Sequence, residues 1–265
     1  MPQNQSFRVT PLPECAVVIT GGTSGVGLAA ALHFAAAGVR RFALLGRDPA
    51  RGQAARETVL RHAPEAQVEF IAADAGDAAQ AQQAGERAQA LLGGIDVLVN
   101  STAADFTPEL LHNTPLERIA PILAQQLLPP LHMSRVVLPW MRAQRGGVIL
   151  NIASDAAKVA TPGESVIGAG MAGIVMFSRT LAMEGKRDGV RVNALTPSLI
   201  GGTPLYDRIM AAEFSGKLFA KAARLAHLGV AQPDDLAALI VFLASPQAAR
   251  LTGQAISLNG GISAA

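Results

Sequence analysis

A glycine-rich turn that directly follows a short apolar run is the feature that most limits how this chain can fold. The run, Ala16–Thr20, leads through the turn at 21–27, Gly-Gly-Thr-Ser-Gly-Val-Gly, into an alanine-rich stretch. Glycines at this spacing let the backbone turn tightly and approach a pyrophosphate, whose charge is met by the free amides and positive dipole of a helix N-terminus. The pattern predicts a phosphate-binding turn between a strand and a helix, formed by Gly21, Thr23, Ser24, Gly25, Val26 and Gly27.

Short apolar runs alternate with longer stretches of helical composition along the chain, which is typical of βαβ units in a parallel sheet. The runs are nearly continuous in apolar residues, as expected of strands that helices cover on both faces. With 265 residues, half of them apolar, the chain can bury one substantial core. We predict an α/β fold in a single domain, residues 1–265, with a Rossmann-type, doubly wound parallel sheet of about seven strands in three layers. The predicted strands are Ala16–Thr20, Phe42–Gly46, Val68–Ala72, Val97–Asn100, Gly147–Asn151, Val190–Leu195 and Ala255–Leu258.

Composition argues against several classes of protein. The formal net charge is +2 and the basic residues are scattered among acidic ones, whereas nucleic-acid binders carry a clustered basic stripe. Cys15 is the only cysteine, which excludes an internal disulfide and a cysteine-cluster metal site and fits a reducing compartment. Residues 1–10 lack a basic region followed by an apolar run, and no stretch reaches the roughly 18 uncharged apolar residues of a spanning helix. We expect a soluble, cytoplasmic protein with no metal, nucleic acid or membrane partner.

The end of the second predicted strand indicates which dinucleotide is bound. Folds that choose NAD usually place an acid near this point, where it bonds the adenosine ribose. Here Gly46 is followed by Arg47, which leaves room and positive charge for a 2′-phosphate. The pair therefore favours NADP(H), although Arg47 as a solvated charge near a helix end is the alternative.

From Thr20 to Gly261 the chain resembles the short-chain dehydrogenase/reductase (SDR) family. The resemblance rests on the Gly-x-x-x-Gly-x-Gly spacing of the turn and on segments such as Asn-Ile-Ala-Ser at 151–154, Val-Asn-Ala at 192–194 and Asn-Gly-Gly at 259–261. It implies further cofactor contacts near the adenine, beneath the nicotinamide and around its carboxamide. Those residues are Asp74, Ala75, Asn100, Ser101, Thr102, Pro197, Ile200 and Thr203.

The same resemblance implies that catalytic positions are altered. Ser154 matches the family's catalytic serine, but Ile167 stands where the family has its tyrosine and Met171 where it has its lysine. Gln126 stands where an asparagine is usual. Hydride delivered to a ketone creates an alkoxide that needs a proton, and general-acid help of this kind is worth about 10² to 10⁴ in rate. Isoleucine and methionine can supply no proton.

Replacement donors are few. Tyr206 is the only tyrosine, and it lies in the least regular segment, 198–221, which we predict to be a lid or substrate loop. A closing lid would bring its hydroxyl over the substrate; the alternative is that it packs the loop. Other polar candidates are Asp105, His112, Asp155 and Lys158, or a held water. Ser154 remains the candidate that would bond a carbonyl oxygen.

Two classes of function are left open. The first is an NADP(H)-dependent reductase with a non-standard proton source, acting on a small molecule such as a polycyclic ketone, conjugated enone or quinone. The second is an inactive relative that binds cofactor or ligand, or serves as a partner subunit; non-redox isomerisation or cyclisation in the same pocket is a further alternative. The family resemblance also implies a homo-oligomer, either tetramer or dimer, which the apolar stretch 167–183 would suit as an interface.

Overall fold

The computed structural model describes residues 7–265, and its centre is a seven-stranded sheet in which every pairing is parallel. The strands lie in the order β3-β2-β1-β4-β5-β6-β7. This architecture confirms the predicted Rossmann-type α/β fold. No predicted strand boundary is displaced by more than two residues. The observed strands are β1 Ala16–Thr20, β2 Arg41–Gly46, β3 Gln67–Ala72, β4 Val97–Asn100, β5 Gly147–Ile152, β6 Val190–Pro197 and β7 Ala255–Leu258.

Helices cover both faces of the sheet and complete three layers. On β1, Val17 and Ile19 pack into one core with residues of α1 and α8, whereas Ala16 and Val18 pack into a second core with residues of α3 and α4. Because all four side chains are fully buried, β1 is apolar along its whole length, as a strand covered on both faces must be. The helices are α1 Gly25–Ala36, α2 Pro49–His62, α3 Ala78–Leu92, α4 Leu116–Ala143, α5 Ser165–Gly185, α6 Pro204–Ala211, α7 Glu213–Leu225 and α8 Pro233–Ala244.

The strand order reverses direction between β1 and β4, and the cleft at the carboxyl ends of these strands is where such folds bind ligands. A buried polar chain holds the strands together at this point. Thr20 Oγ1 donates to Asn100 Oδ1 (3.1 Å), and Asn100 Nδ2 donates to Asn151 Oδ1 (2.8 Å). Asn151 Nδ2 then donates to Ser178 Oγ on α5 (2.9 Å). Asn100 thus links β1, β4 and β5 below the cleft.

The expectation of an irregular loop at 198–221 was wrong, because most of this segment is helical. It contains α6 and most of α7. Thr203 caps α6 through its hydroxyl, which accepts from the backbone N–H of Tyr206 (3.1 Å), and Pro204 occupies the first helical turn. A threonine cap followed by proline is a helix-start signal. The preceding glycines concealed it, since they suggested an irregular segment.

Helix α5 and the turn after it, Ser165–Asp188, are by length and composition apolar enough to cross a membrane. Core helices of soluble proteins pass the same test, so a single helix of this kind is weak evidence for a membrane. In the fold, Ile174 and Val175 of α5 pack with Leu127 of α4 and Ala194 of β6. Packing against α4 and the sheet therefore accounts for part of this apolar character, since 39% of the apolar window is buried.

Candidate functional site

A cavity of about 730 Å³ opens at the carboxyl ends of the strands, and it brings most of the predicted site residues together. Its walls come from the glycine turn, the ends of β2 and β3, the segment after β4, the segment after β5, and the α6–α7 region. Two predicted residues, Gly27 and Asn100, lie behind the wall. Those that line it are Gly21, Thr23, Ser24, Gly25, Val26, Arg47, Asp74, Ala75, Ser101, Thr102, Ser154, Pro197, Ile200, Thr203 and Tyr206.

Close backbone contacts explain the glycines of the turn. Gly21 has φ +68°, and a Cβ built on it would lie 2.4 Å from the carbonyl oxygen of Ser101. A Cβ on Gly27 would lie 2.3 Å from the carbonyl oxygen of Gly21. Gly27 therefore acts by letting α1 pack against the turn, which is the helix-packing role expected of the last glycine in such a motif. The turn has little freedom to adopt another shape.

The N-terminus of α1 has the donors that a pyrophosphate needs. Ser24 occupies the N-cap position in an extended conformation, but its side chain makes no capping hydrogen bond. The N–H groups in the first turn of a helix have no intrahelical partner, and the dipole there is positive. The uncapped turn therefore fits the pyrophosphate of a dinucleotide. On its other side, a Cβ at Gly25 would lie 3.5 Å from the Thr203 methyl group, so the segment after β6 comes close to the turn.

The end of β2 contains an acid that the sequence interpretation did not consider. Asp48 lines the cavity beside Arg47. Its Oδ1 caps α2 by accepting from the N–H groups of Ala50 and Arg51, and its Oδ2 accepts from Arg51 Nε (2.9 Å). The hydrogen bond from the Arg51 backbone is the main cause that lowers the Asp48 pKa. Arg47 is exposed at the rim, and no hydrogen bond or ion pair to its guanidinium is found within residues 7–265.

Asp74 and Ala75 form the turn after β3. Asp74 Oδ1 accepts from the Gly76 N–H (2.8 Å), and the Asp74 N–H donates to Gln80 Oε1 (3.0 Å). Both contacts are local, and they fix the turn with the Asp74 side chain in the cavity wall. The location agrees with the adenine contact that the family resemblance implies.

At the other end of the cavity, the segment after β6 is braced by Thr203. The Thr203 hydroxyl donates to the carbonyl oxygen of Ile200 (2.9 Å) while it accepts from the Tyr206 N–H. The side chain is 9% exposed and lies in the cavity wall with Pro197 and Ile200. Because its proton is already donated to Ile200, Thr203 has only acceptor capacity left for a ligand amide.

The predicted catalytic positions meet at the wall between β5 and α5. Ser154 begins a short helical turn, where its Oγ accepts from the Ala156 N–H (3.2 Å), and no acceptor for its own proton is found among residues 7–265. Ile167 and Met171 of α5 line the cavity beside it. Both are apolar, so this stretch of wall offers no proton.

The other candidate donors are dispersed. Tyr206 lies partly buried in the cavity wall on α6, one turn after the Thr203 cap. Asp155 is buried and accepts from Asn259 Nδ2 and Ser263 Oγ (both 2.6 Å), which ties it to the C-terminal segment. Lys158 Nζ donates to the Ala265 carbonyl oxygen (2.7 Å). These two side chains brace the segment beyond β7.

The last pair of candidates lies toward solvent. Asp105 stands at the rim with 78% of its side chain exposed, 3.7 Å from Arg208 Nε. His112 is exposed in a short turn that does not line the cavity. Neither side chain is held toward the catalytic wall.

The sequence interpretation gave no functional role to two polar residues of the catalytic wall, Gln126 and Glu164. Gln126 is 5% exposed, and its Oε1 has no hydrogen-bond donor among the described residues. A Cβ on Gly170 would lie 2.1 Å from that oxygen, so Gly170 makes room for the longer amide. An unpaired buried acceptor of this kind costs about 1–3 kcal/mol.

The second is Glu164, at the N-cap position of α5. Its side chain lines the cavity and makes no capping hydrogen bond. Burial raises the pKa of Glu164 from 4.5 to about 7; the Asp155 carboxylate adds to the rise, and the Thr161 hydroxyl partly opposes it. Only its position just after Pro162-Gly163, one turn before Ile167, could have indicated it from the sequence.

Comparison with known proteins agrees with this geometry. The family model described as enoyl-(acyl carrier protein) reductase, a short-chain dehydrogenase model, matches residues 21–263. The chain belongs to the SDR family. A curated relative, the 2-(R)-hydroxypropyl-CoM dehydrogenase of Xanthobacter autotrophicus, is 30% identical to this SDR over 93% of the chain and 98% of the relative.

Solved SDR structures superpose over nearly the whole chain. Levodione reductase has a TM-score of 0.88 at 26% identity and covers 94% of this chain and 97% of its own. An NADPH-bound short-chain oxidoreductase of Pseudomonas aeruginosa PAO1, described as containing an atypical catalytic center, has a TM-score of 0.86 at 29% identity. It covers 96% of this chain and 99% of its own.

Membership places this SDR among oxidoreductases that use a nicotinamide cofactor. The uncapped helix start, the glycine turn and the braced segment after β6 fit the phosphates and carboxamide of that cofactor. Within residues 7–265, no cluster of three or more His, Cys, Asp or Glu side chains is arranged to hold a metal ion.

Proposed function

We propose that this SDR is an NADP(H)-dependent reductase of ketones, conjugated enones or quinones that lacks the family's tyrosine–lysine pair and takes its proton elsewhere. The observation that carries the proposal is the contrast within one cavity. The wall around Gly21, Ser24 and Thr203 keeps the features of a dinucleotide site, whereas Ile167 and Met171 form an apolar patch at the catalytic wall.

The preference for NADP(H) is supported by the charges at the end of β2. Asp48 is the acid that would otherwise bond the ribose of NAD, but both its carboxylate oxygens are occupied by α2 and by Arg51. The exposed Arg47 remains able to bind a 2′-phosphate through charge-assisted hydrogen bonds. The NADPH-bound structure of the Pseudomonas aeruginosa relative points the same way.

A reduced nicotinamide cofactor held by Gly21, Ser24 and Thr203 would supply a hydride to the acceptor carbon. Ser154 donates its hydroxyl proton in a hydrogen bond to the substrate oxygen and so orients the carbonyl. Ile167 and Met171 exclude water from that face and lower the local polarity, which strengthens the hydrogen bond from Ser154.

The substrates best suited to this wall are those whose reduced form spreads its negative charge. An enone or quinone gives an enolate or phenolate, which needs less immediate protonation than an isolated alkoxide. The large cavity and its apolar patch fit a polycyclic or conjugated carbonyl compound. We therefore place quinones and enones ahead of simple ketones.

The test combines binding with turnover. Fluorescence titration should give a submillimolar Kd for NADPH and weaker binding of NADH. Oxidation of NADPH should then follow on addition of 9,10-phenanthrenequinone or cyclohex-2-enone, with a slower reaction on cyclohexanone. Binding of neither nucleotide would overturn the reductase proposal, and binding without turnover of any of the three would favour a cofactor-binding subunit.

The oligomeric state and the cellular location of this SDR are part of the proposal. Met176 and Met183 are 59% and 61% exposed on α5, where an SDR partner would cover them. We propose a homo-oligomer, tetramer or dimer, of one domain per chain in the cytoplasm, with α6 and α7 serving as the lid. Sedimentation analysis would test the assembly, since a monomer at micromolar concentration would contradict it.

A further inference from the structure

If Ile167 replaces the family's tyrosine, the proton must come from another side chain or from water. Only a group that reaches the same part of the cavity can take over. Glu164 precedes Ile167 by three residues at the start of α5, and positions three apart at a helix start lie on one face, about 5–6 Å apart between Cβ atoms. Both side chains line the cavity with Ser154.

The N–H groups at the start of α5 do not engage the Glu164 carboxyl group. It occupies the N-cap position, where an acid usually bonds the helix N–H groups, but no such bond is formed. The Gly163–Glu164 region is held instead by its backbone. The Glu109 N–H donates to the Gly163 carbonyl oxygen (2.9 Å), and the Gly168 N–H donates to the Glu164 carbonyl oxygen (2.6 Å). The backbone therefore places the side chain at the cavity wall, where its carboxyl group is hydrogen-bonded with the Thr161 side chain and still borders the cavity.

The charged groups around Glu164 do not neutralise it. Asp155, on the adjacent turn, is an acid and disfavours a second negative charge. Lys158 is bonded to Ser257 and to the Ala265 carbonyl oxygen, and Arg208 is paired with Asp105 across the rim. Burial is the largest cause that raises the Glu164 pKa and Asp155 adds to it, while the hydrogen bond with the Thr161 side chain opposes them, so that the pKa stands at about 7. A general acid is most effective when its pKa lies near the working pH.

We propose that the Glu164 carboxyl group donates the proton to the substrate oxygen in this site, in place of the family's tyrosine. The inference rests on the reductase function proposed above. Two electrons and one hydrogen reach the acceptor carbon as hydride, and the carbonyl π pair moves to oxygen. The Glu164 O–H bond breaks as a new O–H bond forms on the substrate. Glu164 is left as a carboxylate, which takes a proton from solvent before the next turnover.

The decisive variant is Glu164→Gln, which keeps the shape and removes the acid. Glu164→Asp retains an acid but withdraws it by one methylene. Glu184→Gln, on the exposed side of the same helix, is the matched control. We expect Glu164→Gln to lower kcat on cyclohexanone by about 10²-fold with little change in KM, because the lost interaction is made at the transition state. Glu164→Asp should recover part of the rate.

The pH profile gives a second readout. The wild-type rate should fall as the pH rises above about 7, where the carboxyl group loses its proton. The profile of Glu164→Gln should be flat over this range, and that of Glu184→Gln should match the wild type. Equal rates and equal profiles for wild type and Glu164→Gln would overturn the proposal while leaving the reductase function standing.

A measurement without cofactor or substrate separates the two failures. In protein labelled with ¹³C at the glutamate carboxyl groups, one resonance should titrate near pH 7, disappear in Glu164→Gln and persist in Glu184→Gln. A Glu164 midpoint near 4.5 would overturn the proposal even if the enzyme is active. If the wild type reduces none of the probe carbonyls, the reductase function fails and the donor role fails with it.

Discussion

The cofactor end of the cavity is shaped mainly by backbone, and the catalytic end mainly by side chains. At the cofactor end, Gly21 and Gly27 are held by approaches so close that no other side chain fits. At the catalytic end, Ile167, Met171 and Glu164 line the cavity from α5 and its N-cap position, so the wall there is made by side chains. The comparison teaches that cofactor binding is built into the fold, whereas the proton source depends on a few exchangeable side chains.

The largest effect is expected from a substitution in the glycine turn at the cofactor end. Gly21→Ala forces a Cβ to within 2.4 Å of the Ser101 carbonyl oxygen at φ +68°. We expect a loss of about 3 kcal/mol in the free energy of unfolding, from strain and overpacking, together with loss of measurable NADPH binding. Gly94→Ala is the control, because a Cβ there meets nothing within 4 Å. Denaturant unfolding and nucleotide titration check both; unchanged binding in Gly21→Ala would show that the turn tolerates another shape.

The catalytic end can be tested by rebuilding it. The double variant Ile167→Tyr with Met171→Lys restores the family's pair on an unchanged backbone. In a Glu164→Gln background, where the proposed donor is absent, cyclohexanone reduction should rise by about 10²-fold, the usual worth of a general acid, while quinone reduction changes much less. Ile167→Phe with Met171→Lys has the same bulk without the hydroxyl group and should show no such gain. Equal rates in both double variants would mean that the catalytic site lacks more than a proton donor.

A smaller effect is expected at Arg47, where the 2′-phosphate of the adenosine ribose would bind. Arg47→Ala removes the free guanidinium, and charge-assisted hydrogen bonds of this kind are worth about 1.5–3 kcal/mol. The Kd for NADPH should rise by about 10- to 100-fold while that for NADH stays the same. Arg87→Ala, on the exposed face of α3, controls for net charge. If the Kd rises equally for NADPH and NADH, Arg47 does not recognise the 2′-phosphate.

The smallest effect concerns the pH dependence of stability. Because the pKa of Glu164 is raised from 4.5 to about 7 on folding, the folded state binds the proton more tightly. Its stabilising contribution is complete below pH 4.5 and is lost as the pH rises through 7. Allowing for partial exposure, wild type should lose about 1–2 kcal/mol relative to Glu164→Gln between pH 5 and pH 8. Parallel unfolding curves for the two proteins would show that the carboxyl group is not perturbed.

The difference between the two ends also explains what could be predicted from the sequence. Strands such as Ala16–Thr20 and Val97–Asn100 were predicted with their observed bounds, because burial on both faces demands unbroken apolar runs. The α6 helix was missed because the signal at Thr203 and Pro204 followed two glycines. Glu164 and Asp48 were missed for another reason. A pKa shift or an occupied carboxylate depends on tertiary neighbours that no local pattern records.

The buried chain through Asn100, Asn151 and Ser178 bears on how such a site can diverge. These bonds join two strands to α5 from beneath, and none of them uses a side chain of the catalytic wall. Because these buried bonds hold α5 against the sheet, residues on the cavity side of α5 can be substituted without losing them. A lineage could lose one proton source and acquire another there while every intermediate protein still folded.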